Sequence, residues 1–437
     1  MYAAEVFEEW DAYATRRRFK PREVDLDAVI AASENKIVSI TGIRRSGKSS
    51  LLMLLRRRLE EMGERAAYLN LEDTRLTGRP SPLDDALKWF GDEGTLLLDE
   101  VTAAPDHEGW LARTHEFLKG NLRLVVTSSR RTHAAPSKPL RGRVLPVELY
   151  PLSLREHLAF KDIHVEPTTS GRGRLEKALL EHLQFGGFPE VALMADETGK
   201  VAILGSYLRD IVGLDVAEAS AIPLPTVKAF TEYTLQAPTF SASKALTYLK
   251  TLGHRLGKDT VLTLEHYTES SYLVHYTHIY SHNIKDRAQY PRKAYPGDTG
   301  FNYALQGRVD LGRLYENAAL LELKRRSRGV TEINYWKNGR GAETDLIVRQ
   351  GNTVKEAIQV TYDLTEPKTY RRETEALAKC AADLHAEKAI ILTGGKPNQV
   401  RVNGVDIEIT PLLDWLLGTN PPRRPVGREE DPARRRR

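Results

Sequence analysis

GIRRSGKSS, residues 42–50, has the composition and spacing of a phosphate-binding loop. It fits the pattern G-x-x-x-x-G-K-[ST], in which glycines let successive main-chain N–H groups converge on phosphate oxygens. The apolar run KIVSIT (36–41) precedes it and a leucine-rich stretch (49–65) follows, so the loop lies between a predicted strand and a predicted helix. The nucleotide-binding residues predicted from this pattern are Gly42, Ile43, Arg44, Arg45, Ser46, Gly47, Lys48, Ser49 and Ser50.

Two acids, Asp99 and Glu100, follow the apolar run TLLL. Phosphoryl transfer needs a carboxylate that holds the metal and a base that orients water, both at the carboxyl end of a neighbouring strand. We expect Ser49 and Asp99 to hold Mg²⁺ and Glu100 to accept a proton from the attacking water. Together with the Lys48 ammonium, these residues predict an ATPase that uses ATP and Mg²⁺.

Hydroxyl and arginine side chains complete the predicted site. Ser128 ends the apolar run LRLVVTS (122–128) and is a candidate sensor of the γ-phosphate, although a serine-rich turn at a strand end explains it nearly as well. Positive charge near the γ-phosphate stabilises the transition state. Candidates, acting in their own chain or in a second copy, are Arg44, Arg45, Arg130, Arg131, Arg141 and Arg143.

The first half of the chain alternates apolar runs with amphipathic stretches, which is typical of βαβ units on a parallel sheet. The predicted strands are 36–41, 66–71, 95–99, 122–128 and 144–150. Further on, three predicted helices and a strand pair indicate a winged helix-turn-helix. A second α/β pattern follows. The predicted domains are an α/β ATPase core (1–170), a helical lid (171–221), a winged helix (222–297), a nuclease-like α/β domain (298–418) and a basic tail (419–437).

The composition is that of a globular protein: 41% of the 437 residues are hydrophobic and the net charge is +5. No apolar run approaches the roughly 20 residues of a membrane span, and the charged N-terminus does not fit a secretory signal. The single cysteine, Cys380, fits a reducing compartment. We therefore expect a cytoplasmic protein with no membrane partner. The pI near 9.0 is compatible with contacts to DNA or another nucleic acid.

Several stretches together resemble the AAA-type P-loop ATPases of archaea and bacteria whose C-terminal part is of winged-helix and restriction-endonuclease-like type and of unknown function. They include TGIRRSGKSSLL, LLLDE, LRGRVLPVELYPLSLREHL, FGGFPEV and LYENAALLELKRR, and the resemblance spans nearly the whole chain. It implies an ATPase core with a helical lid, a winged helix and a nuclease-like module. It also places Arg141 and Arg143 in a basic LRGR signature, as candidate charge sensors, without fixing which of the two has that role. The TSSRR stretch departs from the Gly-Ser pair usual in such proteins.

A restriction-type nuclease needs a helical acid, an Asp on a strand and a Glu-x-Lys on the next strand to hold a metal and activate water. Glu316 and Asp345 occupy the first two places, and Gln359 stands where the Glu is expected. Thr361 cannot supply the charge of the lysine. These residues are a candidate second metal site. The alternative is that the acids of this region cap helices and pair with Lys324, Arg325 and Lys337.

The leading hypothesis is a Mg²⁺-dependent ATPase whose nucleotide state acts on the C-terminal winged-helix and nuclease-like modules, with nucleic acid as the target. One alternative is a nucleotide-switched signalling or scaffold protein that binds a protein partner. Another is a metal-dependent nuclease gated by ATP. A homo-oligomer is compatible with each of these.

Overall fold

The computed structural model describes residues 3–131, 138–237, 239–281, 283, 290–327, 330–339 and 341–419. The chain divides into two compact units, one of residues 1–276 and 291–309 and the other of residues 277–290 and 310–437. Among the described helices, none has the length and apolar character that a membrane crossing requires. The predicted basic tail lies outside the described residues from position 420 onward.

The first unit contains a five-stranded parallel sheet, as the sequence predicts. Its strands are β1 (Ile37–Thr41), β2 (Ala66–Asn70), β3 (Gly94–Asp99), β4 (Leu122–Ser128) and β5 (Val144–Glu148), in the order β2-β3-β4-β1-β5. Around it lie α1 (Ala3–Arg16), α2 (Leu26–Ser33), α3 (Lys48–Glu61), α4 (Pro82–Phe90) and α5 (His107–Phe117). In this order the carboxyl ends of β1, β3 and β4 are neighbours, which brings the phosphate loop, the acid pair and the serines to one edge.

The apolar pattern of β1 and α3 explains the position of the phosphate loop. All five residues of β1 are buried, as expected of a central strand covered on both faces. Helix α3 buries Leu51, Leu52, Leu55 and Leu59, so its inner face follows the helical period. The chain between them must turn within a few residues, and Gly47, with a φ of 100°, makes the final turn into the helix.

Helices dominate the rest of the first unit. They are α6 (Leu154–Phe160), α7 (Thr169–Phe185), α8 (Pro189–Leu193) and α9 (Glu197–Asp210), which continues as a π-helical segment, Ile211–Glu218. Next come α10 (Leu224–Gln236), β6 (Thr239–Phe240), α11 (Ala242–Thr251), α12 (Lys258–Ser270), β7 (Val274–Thr277), β8 (Arg292–Pro296) and α13 (Gly300–Gln306), with the strands in the order β6-β8-β7. The three predicted helices and the strand pair are therefore present, and their assignment as a winged helix stays a prediction.

The FGGF (185–188) and GDTG (297–300) stretches pack against each other behind the phosphate loop. The Asp298 carboxylate accepts hydrogen bonds from the main-chain N–H of Gly187 (2.8 Å) and of Gly300 (2.9 Å). A Cβ at Gly186 would lie 1.6 Å from an oxygen of Asp298, and a Cβ at Gly297 would lie 1.9 Å from the carbonyl oxygen of Tyr272. Glycine is required at both positions because the main chain or an acid occupies the space of a side chain.

The second unit is built on a mixed six-stranded sheet in the order β13-β14-β12-β11-β10-β9. Its strands are β9 (Thr331–Lys337), β10 (Glu343–Gln350), β11 (Thr353–Val360), β12 (Lys388–Thr393), β13 (Asn398–Val402) and β14 (Val405–Pro411). Its helices are α14 (Leu311–Arg326), α15 (Pro367–Leu384) and α16 (Leu412–Leu417). Leu377, Cys380 and Ala381 of α15 pack on the sheet, where burial raises the pKa of the Cys380 thiol to about 12.

Replacing Gly186 by alanine tests the packing behind the phosphate loop. Residue 186 has a φ of 77°, so alanine there is strained and its Cβ overlaps Asp298, and we expect a loss of about 2 to 5 kcal/mol in the free energy of unfolding. The control is Gly173→Ala in the neighbouring helix α7, where a Cβ meets nothing within 4 Å and stability should stay equal or rise by up to about 1 kcal/mol. Equal denaturant midpoints for the two variants would contradict the packing described.

Candidate nucleotide-binding site

A cavity of about 400 Å³ lies over the phosphate loop in the first unit. Its wall combines loop residues, the acids at the ends of β2 and β3, and residues of α8 and α9. The lining residues are Arg44, Arg45, Gly47, Lys48, Ser49, Ser50, Asn70, Glu72, Asp99, Glu100, Pro189, Glu190 and Tyr207. The structure therefore brings six of the nine predicted loop residues and both predicted acids to one cavity, whereas Gly42, Ile43 and Ser46 are not part of its lining.

The main chain of the loop is arranged to accept an anion. Within the described residues, no hydrogen bond uses the N–H groups of Arg44, Arg45 or Gly47, and the first N–H groups of α3 have no partner in their own helix. The Ser46 hydroxyl is buried and has no hydrogen-bond partner among the described residues. Gly42 is needed here because a Cβ would lie 2.1 Å from the carbonyl oxygen of Leu149. Free donors at a helix N-terminus fit a phosphate group.

Lys48 is buried, with only 4% of its side chain exposed. Its ammonium group donates to the carbonyl oxygen of Gly42 (3.1 Å) and to the Ser129 hydroxyl (3.1 Å), and lies 3.5 Å from the Glu100 carboxylate. A buried ammonium is costly unless it is paired. The partners of Lys48 are therefore an acid, a hydroxyl and main-chain oxygens.

Glu100 is held by the residue that follows β4. Ser129 donates twice to its carboxylate, from the hydroxyl (2.7 Å) and from the main-chain N–H (3.1 Å). Burial acts to raise the pKa of Glu100, but the charge of Lys48 and the bonds from Ser129 outweigh it, and the pKa lies below its ordinary value. Glu100 also has a positive φ of 48°, a conformation that is rarely adopted without a structural or functional reason.

The hydroxyl that contacts Lys48 and Glu100 belongs to Ser129, one residue after the predicted sensor Ser128. Ser128 is fully buried, and its hydroxyl accepts a hydrogen bond from the main-chain N–H of Arg130. Ser129 contacts both Lys48 and Glu100. Side chains alternate along a strand, so neighbouring serines at a strand end point in different directions. Ser129 therefore replaces Ser128 as the candidate sensor.

Asp99 is fully buried beside the helix that carries Ser49. Its carboxylate accepts hydrogen bonds from the Tyr68 hydroxyl (2.7 Å) and the Thr127 hydroxyl (2.5 Å), and it also interacts with the Ser49 hydroxyl. Burial, together with the charge of Glu100, raises the pKa of Asp99. A carboxylate and a hydroxyl at the carboxyl end of parallel strands are oxygen ligands suited to Mg²⁺. The residues present therefore fit the metal.

Arg141 and Arg143 lie at the wrong end of the sheet for a role in their own chain. The carbonyl oxygen of Arg143 accepts a hydrogen bond from the N–H of Ile37, at the start of β1, whereas the phosphate loop follows the end of β1. Five strand residues span about 16 Å. Arg143 pairs with Glu116 (2.9 Å), and Arg141 is exposed. Within one chain these two arginines therefore lie away from the phosphate loop, and a role in a second copy stays a prediction.

Of the other candidate arginines, two line the cavity. Arg44 forms two hydrogen bonds with Asp215, and the guanidinium of Arg45 lies over the ring of Tyr207, 5.5 Å from its centroid. Arg131 is outside the lining: it lies 3.2 Å from Glu148 and stacks on the ring of Tyr272. The loop arginines are thus the cations, besides Lys48, that line the cavity.

Several residues that surround the loop were not identified from the sequence. Glu72 follows β2 as the acid pair follows β3, a parallel that the sequence shows. Pro189 and Glu190 follow the FGGF stretch, and the Tyr207 hydroxyl donates to the Glu190 carboxylate. Arg22, 26 residues before Lys48, donates to the carbonyl oxygen of Ser46 and pairs with the buried Glu156. Contacts between residues so far apart in the chain leave no pattern in the neighbouring sequence from which they could be predicted.

The second predicted site, in the other unit, is only partly assembled. The Gln359 amide accepts from the N–H of Asp345 (3.3 Å) and donates to the Glu373 carboxylate (2.9 Å), so both of its ends are engaged. Glu316 lies on α14, half-buried. In the part of the chain that the structure describes, no cluster of three or more His, Cys, Asp or Glu residues could hold a metal. Glu343 pairs with Lys337 (3.1 Å), as the alternative interpretation predicts.

Comparisons with known proteins match the chain in three parts. Residues 34–158 match a family model described as an AAA domain (AAA_14). Residues 176–311 and 311–413 match two domains of unknown function, DUF8612 and DUF4143. The first match contains the phosphate loop and the acid pair.

Relatives of similar length have no assigned function. An uncharacterized protein of Methanocaldococcus jannaschii is 29% identical over 413 residues, covering 91% of this chain and 92% of the relative. An uncharacterized protein of Haemophilus influenzae is 26% identical, covering 91% and 98%. Among solved structures, AMPPCP-bound DnaA from Aquifex aeolicus is similar over 56% of this chain and 86% of its own, at 15% identity and a TM-score of 0.28, a value too low to bear on function.

The family match and the geometry agree on the phosphate loop, the acid pair and the parallel sheet. Residues 34–158 therefore match an AAA domain and have the α/β fold of a P-loop protein, and residues 176–311 and 311–413 match two domains of unknown function.

Proposed function

We propose that this protein is a Mg²⁺-dependent ATPase. The observation that carries the proposal is the meeting of Lys48, Glu100 and Ser129 at the phosphate loop, with unused main-chain donors beside them. A lysine, an acid and free N–H groups in one cavity provide both the binding and the base that phosphoryl transfer to water requires.

Binding of the triphosphate changes the partners of Lys48. Its ammonium turns from Glu100, at 3.5 Å, to the more highly charged phosphate oxygens. The loop N–H groups of Arg45 and Gly47 donate to the same anion. Ser49 and Asp99 would hold Mg²⁺, which when bound neutralises charge on the β- and γ-phosphate oxygens.

The loss of Lys48 as a partner makes Glu100 a stronger base. The charge of Lys48 is one of the causes that keep the pKa of Glu100 low, so the pKa rises when the ammonium moves to phosphate, toward the range in which general bases work. Glu100 then takes a proton from water while the water oxygen bonds to the γ-phosphorus. The bond from that phosphorus to the bridging oxygen breaks, and ADP and phosphate form.

The phosphate loop is packed directly against residues of the predicted lid and winged helix. The Ile43 side chain is buried in a cluster that includes Ile211, Phe230 and Leu264. The Tyr272 hydroxyl lies 2.7 Å from the hydroxyl of Thr41, the last residue of β1. These contacts support a coupling between nucleotide state and residues 222–297.

The exposed charges of the predicted winged helix favour a nucleic acid as its partner. Lys244, Lys250, Arg255 and Lys258 are exposed, and they take part in none of the ion pairs between described residues. Between residues 237 and 264 the only acid is Asp259. Such cations contact phosphates without reading sequence. We therefore propose that the ATPase acts on nucleic acid, with a protein partner as the alternative. Nuclease activity is less well supported, since Gln359 has both ends engaged.

Two variants test the ATPase proposal. Lys48→Ala should reduce ATP hydrolysis to background, because the ammonium that binds phosphate is lost. Glu100→Gln should keep ATP binding within about 3-fold but lower kcat by about 100- to 1,000-fold, since only the base is removed. Turnover would be followed by phosphate release, and binding by a fluorescent ATP analogue. A Lys48→Ala protein that hydrolyses ATP at the parent rate would refute the proposal.

A serine pair provides a matched test of how Glu100 is held. Ser129→Ala removes a hydrogen bond to the carboxylate, so we expect kcat to fall by about 10-fold and the acidic limb of the pH–kcat profile to move to higher pH, because one cause of the low pKa of Glu100 is gone. The Ser128 hydroxyl contacts only the N–H of Arg130 in the described structure. Ser128→Ala should therefore leave kcat and the pH–kcat profile unchanged. Equal profiles for the two variants would contradict the role of Ser129.

Nucleic-acid action predicts that DNA or RNA stimulates turnover. We expect stimulation to fall steeply between about 50 and 200 mM salt, because phosphate contacts release counterions. Lys250→Glu combined with Lys258→Glu should abolish the stimulation and leave basal turnover intact. Turnover that no tested DNA or RNA changes, at any salt concentration, would favour a protein partner instead.

A further inference from the structure

Arg44 of the phosphate loop is fixed by Asp215, an acid from the helical region of the first unit (residues 154–218). Its Nε and Nη2 atoms donate to the two oxygens of Asp215, each at 3.0 Å. Only 2% of the Asp215 side chain and 21% of the Arg44 side chain are exposed. Two parallel hydrogen bonds from a guanidinium to a carboxylate fix both the position and the plane of the guanidinium.

Asp215 lies in the π-helical segment Ile211–Glu218. Segments with i→i+5 hydrogen bonds are rare and occur frequently at functional sites. The segment continues α9, whose Tyr207 lines the same cavity, and its Ile211 and Val216 are buried in the cluster that contains Ile43. One continuous helical stretch therefore contributes a cavity wall and the partner of a loop arginine.

The pair leaves part of the guanidinium unused. A guanidinium has five N–H groups, and Asp215 accepts from two of them. Within the described residues Nη1 makes no hydrogen bond, and Nη2 lies 3.7 Å from the Glu72 carboxylate, which is too long for one. Arg44 lines the cavity together with Lys48. The free edge of a fixed guanidinium in a phosphate-binding cavity is suited to two phosphate oxygens.

We propose that Asp215 is a positioning residue: it holds Arg44 so that the free edge of the guanidinium binds the γ-phosphate of ATP. This inference rests on the proposed ATPase function. It adds that hydrolysis requires the π-helical segment to lie against the loop, so the helical region takes part in catalysis and does more than cover the nucleotide. The competing explanation is that the ion pair only anchors the helix to the loop.

The experiment compares Asp215→Asn, Asp215→Glu, Arg44→Lys, Arg44→Gln and the double variant Arg44→Gln with Asp215→Asn in the full chain. We expect Asp215→Asn to lower kcat at least 10-fold and to weaken ATP binding more than ADP binding, because ADP lacks the γ-phosphate. Asp215→Glu should restore part of the loss. In the Arg44→Gln background, Asp215→Asn should have no further effect, since Asp215 acts only through Arg44.

Glu181→Gln is the matched control. Glu181 is another carboxylate of the helical region, paired with Lys161 (2.6 Å) and Lys200 and outside the cavity lining, so its loss should leave kcat and the ratio of ATP to ADP affinity unchanged. If Asp215→Asn does not fold, Arg44→Lys tests the inference instead. Lysine keeps the charge but cannot form the two parallel hydrogen bonds with Asp215. We expect it to lose at least 10-fold in kcat.

Three results would overturn the inference. They are an unchanged kcat in Asp215→Asn or Arg44→Lys, an equal fall in ATP and ADP affinity, and a further loss when Asp215→Asn is added to Arg44→Gln. Each would leave the ATPase proposal intact. A parent protein that does not hydrolyse ATP would instead refute the ATPase proposal itself.

Discussion

The buried ammonium of Lys48 is the group around which the site is organised. It is 4% exposed and lies beside a carboxylate that is 13% exposed, and such a pair adds little to stability, since desolvation offsets most of the attraction. The Lys48–Glu100 pair is suited to nucleotide binding because phosphate oxygens can replace Glu100 as the partner of Lys48. In the proposed mechanism, a triphosphate that binds Lys48 also releases Glu100 from its ion pair, so that one exchange of partners both binds the nucleotide and activates water. The hydrogen bonds from Ser129 hold the Glu100 carboxylate in place independently of Lys48.

Close main-chain packing positions this charge. Gly42 lies against the carbonyl oxygen of Leu149, and Gly186 and Gly297 let the FGGF and GDTG stretches meet behind the loop. Ile43 extends from the loop into the core of the helical region. As a result, the phosphate loop has the sheet on one side and the helical region on the other, and a movement of the loop must displace buried side chains. This packing is the physical basis of the proposed coupling between nucleotide state and residues outside 34–158.

Local patterns predicted the sheet, the phosphate loop and the acid pair, because each depends on a few consecutive residues. The predicted neighbours Asp345 and Gln359 also lie together, since the strand pattern of the second unit sets their pairing. The sequence patterns failed to place side chains whose positions depend on strand direction or on contacts between distant parts of the chain. Ser128 ends β4 and Ser129 follows it, so their side chains point in different directions. Arg141 and Arg143 precede β5 and so lie at its amino end, and the pairing of Asp215 with Arg44 joins residues that are 171 positions apart.

A crystal structure with a non-hydrolysable ATP analogue and Mg²⁺ tests the central claim most directly. The account predicts the β- and γ-phosphates against Lys48 and the loop N–H groups, the metal between Ser49 and Asp99, and Glu100 separated from Lys48. A nucleotide bound elsewhere, or a pairing of Lys48 with Glu100 that persists at saturating nucleotide, would contradict it.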